Sequence, residues 1–474
     1  MKHVVIIGGG ISGLAAAYYA QQAGGVRVTL LERGARVGGK ILSETVDGFV
    51  VEGGPDSFIS QKPAGMELCR ELGLSGELMG ANPEHKTTYV VSGGKLHAMP
   101  EGMMLMAPTM VLPFLKSRLF SWAGKMRMGM ELVLPARKDA EDESLANFVR
   151  RRLGREALEK LAGPLLGGIY AADPERMSME STFPLFPELE RKYGSLLKGM
   201  LKRKKARTAS AAQAKKSGAQ TAMFVTLRGG LEQLVSALQE RIAAGTIRLN
   251  QKIERIEREP DGFKIAIEGE PAIHADDIVF CTPAFVTAEL LREVAPRLAE
   301  KLNAVRYVTT ATVSLGYRLA ELEHDLDGYG FIVADGEKRR ITACSWSSTK
   351  FSHRAPQELA LIRAFVGGAR AEHLAEQAPA ALIAMVREEL KATMGIAAEP
   401  VLARAYAWRF ANPQYDVGHK KRVEEMERLA AETPGIYLAG AALYGPGIPD
   451  CIQTSKNAVG RLAAQLENEM META

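Results

Sequence analysis

Cysteine is scarce in this chain: Cys69, Cys281, Cys344 and Cys451 lie far apart, with no C-x-x-C pair among them. That excludes a zinc ribbon and a disulfide framework, and it fits a reducing cytoplasm. The eight histidines show no H-E-x-x-H or comparable spacing, so no metal is expected. Charge of one sign is lacking as well, because 60 Lys and Arg face 56 Asp and Glu. A net charge of +4 gives the chain no global pull toward nucleic acid. The first residues carry no basic stretch with a cleavable apolar core behind it, so no secretory signal is expected. Long hydrophobic runs are missing too. The most membrane-like stretch, residues 103–115, is broken by Pro108 and Pro113 and closed by Lys116 and Arg118. It is shorter than the ~20 residues a span requires, and reads as methionine-rich core or as a segment lying on a membrane surface.

What is present starts at the third residue. His3-Val4-Val5-Ile6-Ile7 runs into Gly8-Gly9-Gly10-Ile11-Ser12-Gly13 and then into the alanine-rich segment 14–23, the order strand, glycine turn, helix. Glycine at 8, 10 and 13 lets the backbone approach a pyrophosphate, whose charge then faces the free amides of a helix N-terminus. A second strand over 28–31 ends in Glu32, at the place where a carboxylate accepts the ribose hydroxyls of an adenosine. The spacing therefore predicts a dinucleotide-binding βαβ unit.

Elsewhere the chain divides by pattern. Residues 108–221 are helical and strand-poor, with Ser144 placed as a helix cap before apolar positions at helical spacing. Within them, Lys198, Lys202, Arg203, Lys204, Lys205, Arg207, Lys215 and Lys216 fall where no acid occurs between Arg191 and Leu231. That run reads as a solvated surface loop, or as one attracted to anionic lipid or an acidic substrate. Strands are expected near 247–253, 265–267 and 277–280, then at 310–317, 330–333, 341–346 and 361–366. A last strand at 435–440 precedes a helix opened by Gly447-Ile448-Pro449-Asp450-Cys451. The predicted architecture is α/β with mixed α+β character, built from three parts. A discontinuous Rossmann-like nucleotide domain takes 1–60, 222–297 and 429–470, a β-sheet substrate domain takes 61–107 and 298–428, and a helical insertion over 108–221 could lie on a membrane surface.

The run Glu32-Arg33-Gly34-Ala35-Arg36-Val37-Gly38-Gly39-Lys40 resembles the E-x-x-x-R-x-G-G-R/K extension of amine-oxidase-like flavoproteins. On that resemblance the cofactor is FAD. Four further runs resemble the porphyrinogen oxidases of haem synthesis across essentially the whole chain: Val50-Val51-Glu52-Gly53-Gly54-Pro55-Asp56-Ser57-Phe58, Leu165-Leu166-Gly167-Gly168-Ile169-Tyr170-Ala171-Ala172-Asp173, Ser181-Thr182-Phe183-Pro184 and Tyr444-Gly445-Pro446-Gly447-Ile448-Pro449-Asp450-Cys451. They are most similar to the bacterial type that converts coproporphyrinogen III to coproporphyrin III, with protoporphyrinogen IX as the alternative substrate.

The resemblance implies non-covalent FAD, oxygen as electron acceptor, hydrogen peroxide as by-product and six electrons removed in three rounds. It places Gly8, Gly9, Gly10, Ile11, Ser12 and Gly13 at the pyrophosphate, Glu32 and Arg33 at the adenosine with Lys40 nearby, and the main chain of Ile253 beside the adenine. Gly53, Gly54, Pro55 and Asp56 would pass beside the flavin, with Trp408, Pro446, Gly447 and Ile448 as further contacts. Ile169 would line the substrate cavity. The mitochondrial and plastid relatives have an arginine that grips a substrate carboxylate where this chain has Asp56, which puts Asp56 at the substrate as well as at the flavin; the carboxylate then needs another cation, and Lys62 is the expected one. An enzyme of the haem pathway is the expected recipient of product. Two other classes share the frame. Amine oxidases differ by an S-G-C-Y-type signature absent here, and the non-redox GDP-dissociation-inhibitor proteins lack the Gly38-Gly39-Lys40 run.

Overall fold

The computed structural model describes residues 1–104, 106–139, 141–203 and 222–472. Lys204, Lys205, Arg207, Lys215 and Lys216 of the basic run lie outside the described residues.

A parallel sheet of five strands is built around the first strand, in the order Ile247–Arg248, Val26–Leu31, Lys2–Ile7, Asp277–Phe280, Ile436–Leu438. Its central strand reads as an unbroken apolar run because both faces are covered. Val4 and Ile6 pack with helices Ile11–Ala23 and Ile448–Glu472 on one face, whereas Val5 and Ile7 pack with Ala284–Leu291, Pro296–Asn303 and His419–Ala431 on the other. A three-stranded antiparallel meander, Ile253–Glu259, Gly262–Ile267 and Glu270–Ala275, adds to the second core. Four distant stretches of chain thus supply one sheet.

The second large sheet has seven strands, ordered Leu402–Pro413, Tyr307–Arg318, Leu359–Gly367, Ala343–Trp346, Gly330–Val333, Thr88–Ser92, Lys95–Ala98. Its edge strand Leu402–Pro413 carries a bulge: Thr310 pairs with Trp408 and Val308 with Asn412, so one residue faces three. Phe410 sits in that bulge at φ +44° and is more than half exposed. This strand did not stand out in the sequence, since its face alternation is broken there.

Among the described residues, 109–203 hold helices and isolated bridges but no strand. Ser144 caps the helix Leu145–Arg152 by accepting from the Asn147 amide at 3.1 Å. At the centre of this layer a fully buried ion pair joins Arg152 to Glu131. Glu131 also accepts from Ser195 Oγ at 2.6 Å and from the amides of Leu196 and Leu197 at 2.6 and 3.1 Å, so it caps the helical turn that follows. A ten-residue π-helix, Leu158–Gly167, with Pro164 inside it, leads into Ile169. Wide turns of this kind are rare and tend to re-aim side chains at functional sites.

Candidate functional site

The glycine turn occupies the carboxyl end of the central strand, where neighbouring connections leave a crevice. Gly8 has φ +104°, and its amide donates to the Leu31 carbonyl at 2.9 Å. Gly13 lets the helix Ile11–Ala23 sit against that turn, since a Cβ built on it would lie 1.8 Å from the Gly8 oxygen. The helix has no acid in its first turn and no side-chain cap, so its leading amides and positive dipole end are left for a ligand.

Glu32 is held from both sides. Its Oε2 accepts the Gly9 amide and its Oε1 the Gly34 amide, each at 2.6 Å. The carboxylate therefore has a fixed orientation before any ribose arrives. Gln251, two residues before Ile253, donates its amide to the Glu32 carbonyl at 2.9 Å, which brings the start of the strand Ile253–Glu259 next to the same corner. The Arg33 side chain is exposed beside it. Arg36 folds back instead: its guanidinium donates to the carbonyls of Val37, Gly39 and Ile41 at 2.9, 2.6 and 3.0 Å. That clamp presents the Gly38-Gly39 pair to the first turn, with the Gly38 amide on the Gly9 carbonyl at 2.8 Å.

Lys40 follows in the same loop. Its ammonium is buried, donates to the Ala411 carbonyl and has its pKa lowered by desolvation. No carboxylate lies within ion-pair distance of it among the described residues. A buried cation in that state favours an anionic ligand. Across from it, a Cβ on Gly54 would fall 1.7 Å from the Lys40 oxygen. The Gly53 carbonyl accepts from Trp408 Nε1 at 2.8 Å and Thr312 Oγ1 at 2.9 Å, so Trp408 is a brace for the 53–56 turn. Asp56 is bonded within the protein, to Ser57 Oγ at 2.7 Å and Lys350 Nζ at 3.2 Å.

Pro446 and Gly447 lead into the 25-residue helix Ile448–Glu472. This helix returns to the first turn, where Ser455 Oγ donates to the Ser12 carbonyl at 2.8 Å. Lys62 is not a free cation. Its ammonium spans both oxygens of Asp450, at 2.6 and 2.7 Å, while remaining 44% exposed. Ile169 is exposed between the π-helix and Ala171, whose φ is +51°. The adjoining Tyr170 is tied toward the edge strand, its carbonyl accepting from Gln414 Nε2 at 3.2 Å and its ring centroid 5.7 Å from Tyr415.

The residues at 8–13, 32, 40, 53–56, 408 and 446–448 are thus linked by these contacts, and Ile253 begins its strand beside Glu32. Lys62 joins the cleft through Asp450. Sequence reasoning missed Asp450 as the partner of Lys62, Lys350 as the partner of Asp56, and Tyr415. Only the first had a signal, since Asp450 lies in the run Gly447-Ile448-Pro449-Asp450-Cys451 that opens the last helix. Glycines that a Cβ would collide with, free helix amides and an unpaired buried ammonium together fit a dinucleotide carrying a pyrophosphate.

Comparison with known proteins agrees with this geometry. The family profile described as flavin containing amine oxidoreductase matches residues 11–463. The chain is 38% identical over 464 residues to the coproporphyrinogen III oxidase of Bacillus subtilis, covering 97% of both chains. It is 31% identical to the protoporphyrinogen oxidase of Bos taurus, covering 97% of this chain and 98% of the relative. A solved structure from Exiguobacterium sp. 255-15 superposes with a TM-score of 0.86 at 33% identity, covering 98% and 99% of the two chains. Cyclohexylamine oxidase from Brevibacterium oxydans shares the fold at a TM-score of 0.70 and 17% identity.

Proposed function

Because the chain belongs to the flavin containing amine oxidoreductase family, and is therefore a flavin-dependent oxidoreductase, we propose that it uses non-covalent FAD to oxidise coproporphyrinogen III to coproporphyrin III in haem biosynthesis. The observation that carries the reading is the end-to-end similarity to coproporphyrinogen III oxidases, at 38% identity. Protoporphyrinogen IX is the second substrate to consider, because relatives at 31% identity are named for it.

When bound, FAD supplies a two-electron acceptor that is reoxidised by oxygen. The protein's own residues do the rest. The 8–13 turn and the leading amides of the first helix hold the pyrophosphate, Glu32 orients the ribose, and buried Lys40 offsets phosphate or flavin charge. Ile169 offers an apolar wall to a macrocycle. Lys62 offers the cation for one substrate carboxylate, provided it exchanges Asp450 for that carboxylate. None of these roles needs a nucleophile.

The test is aerobic turnover of FAD-loaded protein with coproporphyrinogen III and protoporphyrinogen IX side by side, followed by porphyrin fluorescence and corrected for spontaneous oxidation. Higher kcat/KM for the four-carboxylate substrate supports the proposal. Preference for protoporphyrinogen IX moves the assignment to that substrate, and oxidation of neither by flavin-loaded protein overturns it.

The setting we propose is cytoplasmic, with peripheral contact to an anionic membrane. No helix among the described residues is long and apolar enough to cross a bilayer. Val111, Leu112, Trp122, Met126, Met130 and Val133 are nonetheless each exposed in the helical layer. Glu131, the one acid between Glu101 and Asp139, is buried, while Lys116, Arg118 and Lys138 are exposed. Exposed apolar side chains that include a tryptophan, in a segment whose exposed charges at 116, 118 and 138 are basic, suit an interfacial surface. Co-sedimentation with vesicles containing phosphatidylglycerol, lost in Trp122→Glu/Met126→Glu, supports the contact; equal sedimentation of wild type and variant refutes it.

A further inference from the structure

Behind the 53–56 turn lies a group of charges that the reaction described above does not use. Arg363, 3% exposed, donates to the Gly54 carbonyl. Arg354, 2% exposed, donates to the Asp56 carbonyl at 3.1 Å and to Thr226 Oγ1 at 2.7 Å, and forms a 2.8 Å ion pair with buried Glu52. Lys350 lies 3.2 Å from the Asp56 carboxylate and about 5 Å from the ring centroids of Phe224 and Phe351. Three cations face two carboxylates in a space from which water is largely excluded. Burial alone would raise the Asp56 carboxyl, yet Lys350, Arg363 and Arg354 hold it well below the usual range. Glu52, by contrast, is pushed up by burial against the pull of Arg354.

Two consequences follow from this arrangement. With Thr312 and Trp408 on the Gly53 carbonyl, three carbonyls of the turn are bonded to donors in the protein interior, so the negative ends of those peptide dipoles point away from the cleft. The cluster also keeps an excess positive charge beside the turn in a medium of low dielectric, where a charge acts further than it does in water.

We propose that the buried cluster of Lys350, Arg354, Arg363, Glu52 and Asp56 is a positioning and electrostatic device for the flavin, which fixes the 53–56 turn and favours the reduced, more negative cofactor. The proposal rests on the reading that this turn passes beside the flavin. Its residues act through the turn and through their field. The sign of each group's effect follows from its charge. Removing the cation at Lys350 leaves the cluster neutral, which disfavours reduction. Removing the anion at Asp56 leaves it more positive, which favours reduction.

The experiment is an anaerobic reductive titration of FAD-loaded wild type, Lys350→Met and Asp56→Asn against a reference dye. The expected result is a midpoint potential displaced downward in Lys350→Met and upward in Asp56→Asn. Each displacement should change the flavin–dye equilibrium on the order of tenfold, as for one unit charge at roughly 10 Å in an effective dielectric of about 20. A purely structural role would lower the melting temperature in both variants without opposite displacements. Shifts of the same sign in both, or none in either, overturn the proposal. If Lys350→Met takes up no flavin, Asp56→Asn decides alone, and a downward or absent shift overturns the idea. Because no porphyrinogen enters the titration, a flavin-loaded protein that oxidises no porphyrinogen removes the proposed function and leaves this inference standing.

Discussion

Gly13→Ala is the sharpest probe of the cofactor cleft, because its effect follows from one distance. A Cβ at Gly13 would sit 1.8 Å from the Gly8 oxygen, so helix and turn must part by roughly 1.5 Å to reach ordinary contact. Gly8 has little freedom to retreat. Its φ of +104° suits glycine alone, its amide is bonded to Leu31, and a Cβ on Gly8 itself would already touch Thr282 at 3.0 Å. The strain of such overpacking is about 1 to 3 kcal/mol. It falls on the helix amides that would hold the pyrophosphate, so FAD affinity should drop roughly tenfold to a hundredfold. The assay is fluorescence titration of apoprotein with FAD, alongside thermal melts without FAD to separate folding from binding. Gly76→Ala is the control, as a Cβ there meets nothing within 4 Å and its φ is not positive. A Gly13→Ala protein that binds FAD within about threefold of wild type would refute the assignment of this turn to the pyrophosphate.

Other outcomes follow from single contacts. Glu131→Ala removes the nearer carboxylate of buried Arg152 and leaves it Glu190 at 3.5 Å, and should cost about 3 kcal/mol of stability in urea unfolding; a loss below about 1 kcal/mol would mean the pair is not an anchor. Lys62→Ala should raise KM for coproporphyrinogen III about three- to tenfold with little change in kcat, the lower end reflecting its partial exposure. Asp450→Asn, which frees Lys62, should not raise KM, and a rise there would remove Lys62 as the carboxylate partner. His419 is 1% exposed, stacks on Tyr415 at 4.1 Å and bonds the Leu443 carbonyl, and burial pushes its pKa down to about 4. Below pH ~6.5 the unfolded chain takes up a proton that the native one refuses. Stability is therefore full above that pH and falls as pH drops toward about 4, by about 3 kcal/mol in all. Urea melts from pH 7 to 4.5 should show this slope, and His419→Gln should flatten it.

The nucleotide half was legible because its information is local. Strand, glycine turn and helix lie within the first 23 residues, and Glu32 follows at the end of the next strand. Ser144 was legible for the same reason, since a cap acts three residues away. The bulged edge strand was not, because a register shift cancels the alternation by which a strand is read. Nor was the pairing of Asp56 with Lys350, 294 residues apart, or of Lys62 with Asp450, 388 apart. Asp56 and Lys62 read in sequence as two groups near one substrate carboxylate. The fold gives each a partner of its own and turns the question into which partner is exchanged.

That exchange separates two kinds of readiness in the cleft. The glycine cradle is held by the protein's own bonds: Glu32 holds Gly9 and Gly34, Arg36 holds its own loop, and Gly38 bonds Gly9. Lys40 is different, a buried ammonium bonded to a carbonyl and, among the described residues, to no carboxylate. Burying a charge in that state costs free energy that an anionic ligand returns. The apoprotein should therefore fold into nearly the same shape, while flavin at a thousand times its Kd stabilises it by about 4 kcal/mol. Lys40→Met should then stabilise the apoprotein and weaken flavin binding at once, a pair of opposite effects that a lysine serving only to pack the loop would not produce.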